Sequence, residues 1–395
     1  MSNCGILKEL DHQWRQLLTE NPQMRIRDAA AQLCVSEAEL LASQMVVEEP
    51  RYLVTRLDGE YRNLMRDLKP LGKVMALTRN DAMVHEKIGV YGNVTVHGAM
   101  GLALGVIDLR IFFNHFVHAF AVTEESHVGV RYSLQFFDST GTAVHKIYST
   151  NNTDLLAFDQ LVNRYRAKEQ SPVLEISAPD VENLLTAPQQ LNIDRLREDW
   201  SGLKDVHHFN AMLKQHQVAR IPAYQVVGMQ YARPLATEAF DQALTLASER
   251  KLSIMVFVGN RGMIQIHTGL INSIKRTGPW FNILDGGFNL HANTDRINQL
   301  WLVRKPTTDG IITSLEMYDQ NGQQQALLFG ERENGQPESA KWRALLDEVC
   351  RQHGINESSA NEASAVSGST QSCNQPQPQP CNTSLSNTAT EEAVQ

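Results

Sequence analysis

The chain has 395 residues, of which 42% are hydrophobic and 20% charged, and its formal net charge at pH 7 is −8. This length exceeds the usual size of one hydrophobic core, so we expect two domains or one duplicated domain. The acidic balance argues against unaided binding to nucleic acid or to an anionic membrane surface.

A signal peptide is not indicated, because no N-terminal stretch has the basic, apolar and small-residue order that such a peptide needs. A membrane span is not indicated, because no run of about 18 apolar residues occurs. The five cysteines form no close C-x-x-C pair, so neither a disulfide framework nor a thiolate zinc site is predicted. We expect a cytoplasmic protein without membrane insertion, whose partner is a small ligand or another protein.

The first helical pattern covers "MRIRDAAAQLCVSEAELLAS" (24–43), where apolar residues recur at a helical spacing. It also resembles a helix-turn-helix, with Leu33 and Val35 at positions that such a motif buries. Glu37 and Glu39 would then lie on the recognition helix and face phosphates, which would repel them. We therefore favour a packed helix pair over a motif that reads DNA.

The stretch "GVIDLRIFFN" (105–114) alternates between apolar and mixed positions and predicts a strand. Its mixed face carries Asp108, Arg110 and Phe112. Arg110 is either a surface arginine paired with Asp108 or a donor of hydrogen bonds to a ligand, with Phe112 packed on a flat ring system. His115 and His118 follow; if the strand continues, their spacing sends the two rings to opposite faces and disfavours a shared metal.

A second helix is predicted for "DVHHFNAMLKQHQ" (205–217), with Asp205 as the N-cap, and another for "ATEAFDQALTLASER" (236–250). His207 and His208 both lie away from the apolar stripe of the first of these helices, so helical geometry does not choose between them. They are either surface histidines without a metal or ligands for one. No zinc-like spacing surrounds them, but an organic cofactor such as haem needs only one axial ligand from the protein.

Three cations, Arg220, Lys305 and Arg332, lie near the ends of predicted helices or strands. They are either solvated charges or donors to the carboxylates of a ligand. "VGNRG" (258–262) lies between strands and lacks the glycine-rich turn into a helix that binds nicotinamide or flavin cofactors.

The sequence is internally repeated. "VMALTRNDAMVHEKIG" (74–89) aligns without a gap with "IMVFVGNRGMIQIHTG" (254–269), and "SLQFFDSTG" (133–141) aligns with "SLEMYDQNG" (314–322) at nearly the same offset. The second pair shares a D-x-x-G hairpin turn. A period this long indicates a duplicated domain.

These patterns predict an α+β fold with two tandem structural repeats, each a helical segment followed by a large antiparallel β-sheet. We assign residues 1–180 to the N-terminal repeat and residues 181–353 to the C-terminal repeat. Residues 354–395 contain almost no large apolar side chains and are predicted to form a disordered low-complexity tail.

Taken together, "DLRIF", "DVHHF", "MVFVGNRG", "WFNI", "VRKPTTDG" with "TSLE", and "FGER" resemble the bacterial haemin-degrading and haem-trafficking factors of the HmuS, ChuS and HemS type. The resemblance covers most of residues 10–350. It implies stacked sheets with a haem cleft, in which the N-terminal repeat supplies the distal side and the C-terminal repeat the proximal histidine.

Residue by residue, the resemblance implies that His207 is the proximal iron ligand, with His208 as the alternative. It implies that Arg110 is the distal arginine and Phe112 an aromatic gate. The implied cations for the haem propionates are Arg220, Lys305 and Arg332.

The first repeat has Arg27 at the place of His207, so one haem per chain is implied. Two positions depart from the family pattern. Leu327 and Phe329 replace the glutamine and tyrosine that relatives often have, and they lack hydrogen-bonding groups for a propionate.

The implied function is the degradation of imported haem by oxidative ring opening with release of iron. Haem b would be both substrate and cofactor, and an external electron donor such as NADPH would be needed. The alternative is a non-enzymatic carrier or buffer that delivers haem to a separate oxygenase. The implied partners are a haem ABC importer and a downstream haem oxygenase, and the implied assembly is a monomer or weak dimer.

Overall fold

The computed structural model describes residues 3–126, 129–180, 184–185, 191–333 and 335–355. The predicted disordered tail therefore lies outside the described residues from residue 356 onward.

The described residues form ten α-helices, and the three helical stretches predicted from the sequence are confirmed. Ser36 begins the third helix with a capping box, in which Glu39 reaches back to its backbone. The helices are α1 (Asn3–Glu20), α2 (Ile26–Gln32), α3 (Glu37–Ser43), α4 (Tyr61–Arg66), α5 (Leu155–Tyr165), α6 (Ile193–Ser201), α7 (Phe209–Gln215), α8 (Arg220–Val227), α9 (Ala239–Glu249) and α10 (Ala340–His353).

Nine strands precede α6 and nine follow α8 in the described part of the chain. The first nine are β1 (Tyr52–Arg56), β2 (Gly72–Arg79), β3 (Met83–Val90), β4 (Val94–His97), β5 (Met100–Ala103), β6 (Asp108–Phe112), β7 (His118–Ser126), β8 (Gly129–Phe137) and β9 (Ala143–Thr153). The others are β10 (Ala232–Leu235), β11 (Ile254–Gly259), β12 (Met263–Gly269), β13 (Ile274–Thr277), β14 (Trp280–Asp285), β15 (Phe288–Asn293), β16 (Gln299–Thr307), β17 (Gly310–Tyr318) and β18 (Gln324–Gly330).

The strands form two nine-stranded antiparallel sheets, with the orders β1-β7-β8-β9-β2-β3-β15-β14-β13 and β10-β16-β17-β18-β11-β12-β6-β5-β4. Each strand in the order of the second sheet is the counterpart, in the other repeat, of the strand at the same position in the first sheet. This correspondence confirms the α+β class and the duplication. Each sheet contains six strands of one repeat and three of the other. The sequence did not predict this exchange, and it means that the division at residue 180 separates sequence repeats but not sheets.

The two D-x-x-G hairpin turns are built alike. Asp138 Oδ1 accepts hydrogen bonds from the backbone N–H of Thr140 (2.9 Å) and of Thr142 (3.0 Å) in the β8–β9 turn. Asp319 makes the equivalent pair of bonds in the β17–β18 turn. The turn glycine, Gly141 in the first copy, has a φ of +72°, in the left-handed region that favours glycine.

The inner faces of the two sheets share two apolar clusters, one around α4 and α5 and one around α9 and α10. Between these clusters runs a buried polar chain. Tyr91 OH lies 2.6 Å from His145 Nε2, and Thr78 Oγ1 lies 2.9 Å from His145 Nδ1 and 2.8 Å from Gln265 Oε1. Gln265 Nε2 lies 2.8 Å from His85 Nδ1. The interface between the repeats is therefore partly polar.

The alternation predicted for residues 107–114 is confirmed within β6, where Leu109 and Ile111 are buried and Arg110 and Phe112 are half-buried. The strand does not continue to the histidines, because a 3₁₀ turn at Phe113–His115 ends it. His118 begins β7 in the other sheet, and its Nε2 lies 3.2 Å from the Glu175 carbonyl oxygen.

Candidate functional site

The outer face of the second sheet carries a row of facing residues that runs across five strands. Cross-strand pairing places Glu316, Leu327, Phe257, Ile266 and Asp108 side by side, from β17 through β18, β11 and β12 to β6. Directly facing residues point to the same side of a sheet. This face therefore changes from polar at β17 to apolar in its middle and to polar again at β6.

The middle of this face is an apolar floor. Its side chains are Met255, Phe257, Ile264, Leu327 and Phe329, and all five are only partly buried. The Phe257 and Phe329 rings meet edge to face, with centroids 5.3 Å apart. Leu327 and Phe329, the two departures from the family pattern, thus contribute apolar surface to a floor that suits a flat apolar ligand.

Arg110 and Phe112 lie at one rim of the floor. Arg110 faces Ile264 across the β6–β12 pair, and its guanidinium donates a hydrogen bond to the Asp108 carboxylate. The pairing with Asp108, one of the two sequence interpretations, is therefore present. The Arg110 side chain is 34% exposed, so the pair fixes the arginine at the edge of the floor without burying it.

The opposite rim is a helical wall made of α6, α7 and α8. Trp200 packs edge to face on Phe209, with ring centroids 4.7 Å apart, and its Nε1 donates to the Arg304 carbonyl at 2.9 Å. Tyr224 and Trp301 complete this cluster, with centroids 5.6 Å apart. The wall is thereby anchored to β16, next to the floor.

His207 lies on this wall, in a 3₁₀ turn that leads into α7. Asp205 caps the turn as predicted: its Oδ1 accepts from the His207 backbone N–H at 2.8 Å and lies 2.6 Å from His207 Nδ1. The His207 side chain is 84% exposed, and His208 is also exposed. Backbone placement therefore leaves both histidines accessible to a ligand.

A buried carboxylate, Glu316, lies between the wall and the floor. It is fully buried, and Lys305 Nζ donates to it at 2.6 Å and Arg220 Nη1 at 3.2 Å. Tyr224 and Tyr318 donate to it through their hydroxyls at 2.7 and 2.6 Å. Burial alone would raise the pKa of Glu316, but Lys305 and Arg220 outweigh burial and hold that pKa well below its usual range.

Two of the three predicted propionate cations are thus engaged within the protein. The Lys305 ammonium and the Arg220 guanidinium both bind Glu316, and both lie over the Phe209 ring, at 4.5 and 5.2 Å from its centroid. A ligand carboxylate would have to share them with Glu316. Lys305 is 4% exposed, whereas Arg220 is more accessible, so Arg220 is the easier of the two to reach.

Arg332, the third cation, follows β18 and lies 3.6 Å from Asp309 at the tip of the β16–β17 hairpin. The same tip contacts the segment that precedes His207. Thr308 donates to the Lys204 carbonyl through its backbone N–H at 3.1 Å and through its hydroxyl at 3.2 Å. The hairpin therefore brings Arg332 to the end of the helical wall that carries His207.

The first repeat also packs a helix on the equivalent face of its sheet. Its helix α3 packs on the sheet, where Ala38 and Leu41 contact Phe120 and Phe137 in one cluster. Glu37 is buried and binds Lys146 and Arg79, so it does not face outward as a DNA-reading helix would require, and α2 and α3 form the packed helix pair that the sequence favoured. The two cations outweigh the effect of burial and lower the pKa of Glu37 to about 2.

Arg27, which the sequence predicts to correspond to His207, lies in α2 of the first repeat. Its guanidinium binds the Asp81 side chain and donates to the Asn80 carbonyl at 3.1 Å. It lines a groove of about 620 Å³ that reaches Phe257 and Leu327 of the floor.

In the described part of the chain, no cluster of three or more histidine, cysteine, aspartate or glutamate residues is arranged to hold a metal ion.

The sequence model of the haemin-degrading HemS.ChuX domain matches this chain twice, over residues 34–165 and 217–349. The chain belongs to the HemS family. Among curated HemS-family relatives, the hemin transport protein HemS of Yersinia enterocolitica is 38% identical over 349 residues, which cover 87% of this chain and 97% of that protein. The hemin transport protein HmuS of Yersinia pestis is also 38% identical, over 85% of this chain and 96% of its own length.

Solved structures of HemS-family proteins share the fold. The holo form of PhuS, a heme-binding protein of Pseudomonas aeruginosa, superimposes with a TM-score of 0.82 at 44% identity, over 86% of this chain and 97% of that one. The heme degrading enzyme ChuS of Escherichia coli O157:H7 gives a TM-score of 0.80 at 34% identity, over 87% and 99%. No helix in the described segments of our chain is long and apolar enough to cross a bilayer.

Sequence reasoning missed Glu316, which organises the wall of this HemS-family cleft. The signal was available in "TSLEMY" (313–318), where a carboxylate occurs in a strand segment whose other five residues are all buried. A buried charge of this kind requires partners. The same reasoning would have indicated that Lys305 is engaged by another side chain.

Proposed function

We propose that the chain binds one haem between the helical wall and the apolar floor and degrades it, releasing the iron. The observation that carries the proposal is the position of His207, an exposed imidazole on the wall whose Nδ1 is bound by Asp205. Its remaining ring nitrogen, Nε2, is then the one that offers a lone pair to iron. The apolar floor beside the wall suits the macrocycle.

The chain's own residues contribute placement, hydrogen bonding and exclusion of water. His207 holds the iron through Nε2, and Phe257 and Phe329 pack on the macrocycle. Arg110 donates hydrogen bonds from the opposite rim, where Phe112 limits the access of water. Haem supplies the redox chemistry when bound and is also the substrate, so electrons come from an external donor such as NADPH.

Cations at the wall would hold the haem propionates. Arg332 and Arg220 are the more accessible of the predicted set, and Lys305 would act from beneath while still bound to Glu316. Each charge-assisted contact of this kind is worth about 1.5 to 3 kcal/mol. Leu327 and Phe329 add apolar contact in place of further hydrogen bonds.

A second candidate function is that of a haem carrier, and the 84% exposure of the His207 side chain favours it, because an open ligand permits transfer to another protein. Both functions are represented among relatives, in the hemin transport protein HemS and in the heme degrading enzyme ChuS. For either function we propose a cytoplasmic monomer or weak dimer that receives haem from an ABC importer. A carrier would deliver the haem to a separate oxygenase.

The proposal is tested by loading one haem per chain in the absence of oxygen. O₂ and a reductant are then added in the presence of catalase. Release of iron together with an open-chain tetrapyrrole supports degradation. Unchanged haem that moves to a ligand-free oxygenase supports the carrier. Haem loss that occurs only when catalase is omitted would contradict enzymatic degradation, because free peroxide would then be the oxidant.

The axial ligand is tested separately by absorption spectra of the haem complexes of His207→Ala and His208→Ala. We expect the first substitution to change the axial spectrum and to weaken binding, and the second to leave both unchanged. If His207→Ala binds haem with an unaltered spectrum, His207 is not the ligand.

A further inference from the structure

The hydrogen bonds of Asp205 distinguish the two neighbouring histidines. One oxygen of this carboxylate, Oδ1, binds both the backbone N–H and the ring Nδ1 of His207, at 2.8 and 2.6 Å. His208 reaches Asp205 only through its backbone, where its N–H donates to the Asp205 carbonyl at 3.1 Å. In the part of the chain that the structure describes, no hydrogen bond is found for the His208 ring.

The segment that carries Asp205 is anchored on both sides. Before it, the Lys204 carbonyl accepts two hydrogen bonds from Thr308 at the tip of the β16–β17 hairpin. After it, Phe209 is buried against Trp200 and Tyr224. The carboxylate and the imidazole it binds are therefore held in place relative to the second sheet, although both side chains are exposed.

We propose that Asp205 is a positioning residue that selects His207 over His208 as the iron ligand and fixes its tautomer with the proton on Nδ1. This inference rests on the proposed haem binding. A histidine that donates Nδ1–H to a carboxylate presents an unprotonated Nε2 and is a stronger electron donor to a metal than a free imidazole. The His208 ring has no such partner among the described residues and is the weaker candidate for that reason.

The tautomer can be measured in the full-length chain without haem, by ¹⁵N NMR of the histidine rings. We expect His207 to carry its proton on Nδ1 in the unaltered chain, and to shift toward the mixture typical of an exposed histidine in Asp205→Ala. Asp205→Asn keeps a good helix cap while removing the charge, so it reports on the carboxylate without removing the cap.

In the haem complex, partners that orient a ligating histidine are typically worth 10- to 100-fold in metal affinity. We expect Asp205→Ala to weaken haem binding by about that factor and to lower the iron–histidine stretching frequency in resonance Raman spectra. We further expect His208→Ala to have no effect alone but to weaken haem binding further in the Asp205→Ala background, because His208 then supplies part of the ligation.

Two matched controls separate positioning from structure. Asp154→Ala removes an N-cap from α5, where Asp154 Oδ1 accepts from the Ala157 N–H at 2.9 Å and no histidine is involved. Asp199→Ala removes another aspartate–histidine contact, 2.9 Å from His216 Nε2. Both should leave haem affinity and the Raman frequency unchanged.

The inference is overturned if Asp205→Ala and Asp205→Asn leave the tautomer, the affinity and the stretching frequency as they are, since Asp205 would then be a helix cap alone. Failure of the proposed function has a different signature. In that case His207→Ala itself does not change the haem complex, whereas the tautomer measurement still shows whether Asp205 orients the ring.

Discussion

Asn80 and Asn260 occupy equivalent positions in the two repeats, and each side-chain amide donates two hydrogen bonds to backbone carbonyls of the other repeat. The carbonyls that accept from Asn80 Nδ2 belong to Gly259 (2.9 Å) and Gln325 (2.7 Å), and those that accept from Asn260 Nδ2 belong to Arg79 (3.0 Å) and Val144 (2.8 Å). Each Oδ1 also accepts two backbone N–H groups of its own turn. The two asparagines thus join the repeats reciprocally.

Replacing Asn80 with alanine should therefore destabilise the whole molecule. Four hydrogen bonds are lost and several partly buried backbone groups lose their partners, so we expect a loss of about 2 to 4 kcal/mol in the free energy of unfolding. Denaturant unfolding followed by circular dichroism measures this. Asn163→Ala is the control, because the Asn163 side chain is exposed and bonds to Asp159 on the same helix. An equal effect of both substitutions would contradict the reciprocal joint.

Removing the charge of Glu316 should be more damaging than removing an exposed carboxylate. Glu316→Gln leaves Lys305 and Arg220 without their shared anion in a buried environment, and breaking such a pair costs about 3 to 5 kcal/mol. Glu348→Gln breaks a partly exposed pair with Arg250 and should cost less than about 1 kcal/mol. Hydrogen exchange should locate the added flexibility of Glu316→Gln in α7 and α8. Unchanged protection there would mean that Glu316 does not anchor the wall.

Arg110→Ala should separate haem binding from haem degradation. Arg110 lies at the rim opposite His207 and is proposed to act by donating hydrogen bonds during the reaction, so we expect degradation to slow by about 100-fold. Haem affinity should change less than tenfold, because the floor and the axial ligand remain. Single-turnover rates and equilibrium titration measure the two effects. Arg164→Ala, which removes the arginine of an exposed pair with Asp67, serves as the control. Parallel losses of affinity and rate in Arg110→Ala would assign Arg110 to binding alone.

Acid should destabilise the interface between the sheets through His145. Burial lowers the pKa of this histidine to about 3, against about 6.5 in the unfolded chain. Below about pH 6.5 the unfolded state therefore binds a proton that the folded state does not, so this part of the stability is complete above that pH and is lost as the pH falls toward about 3.

The corresponding slope is about 1.4 kcal/mol per pH unit for one proton. We expect His145→Gln to reduce the slope of unfolding free energy against pH by about this amount between pH 4 and 6, whatever its effect at pH 7. His97→Gln, at a strand position near solvent, is the comparison. An unaltered slope in His145→Gln would show that His145 is not the group that titrates on unfolding.

The sequence was sufficient for the features that depend on local pattern. Alternation placed Arg110 and Phe112 on one face of β6, and the cap preference of aspartate placed Asp205 before the 3₁₀ turn. The alignment of the segments that contain Asn80 and Asn260 predicted the duplication. In each case the determining neighbours lie within a few residues or in the equivalent copy.

Features that depend on the choice between two similar partners were not predictable. Strand β3 pairs with β15 of the other repeat, although the alternative within its own repeat, β6, presents a strand of the same kind. The buried ion pair of Glu37 was not predicted, because the position of Glu37 in α3 gives no indication that Lys146, more than 100 residues away, would bind it. Local pattern carries no information about such distant pairings.

Because the two repeats exchange strands, neither sheet can form completely until both repeats have been synthesised. Lys87 in β3 pairs with Phe288, roughly 200 residues later. At typical ribosomal speeds of about 5 to 20 residues per second, the outer edge of β3 waits about 10 to 40 s for its neighbour. During that interval an unpaired edge of the nascent chain is available to other polypeptides, so chaperone occupancy should be greatest before residue 293 emerges.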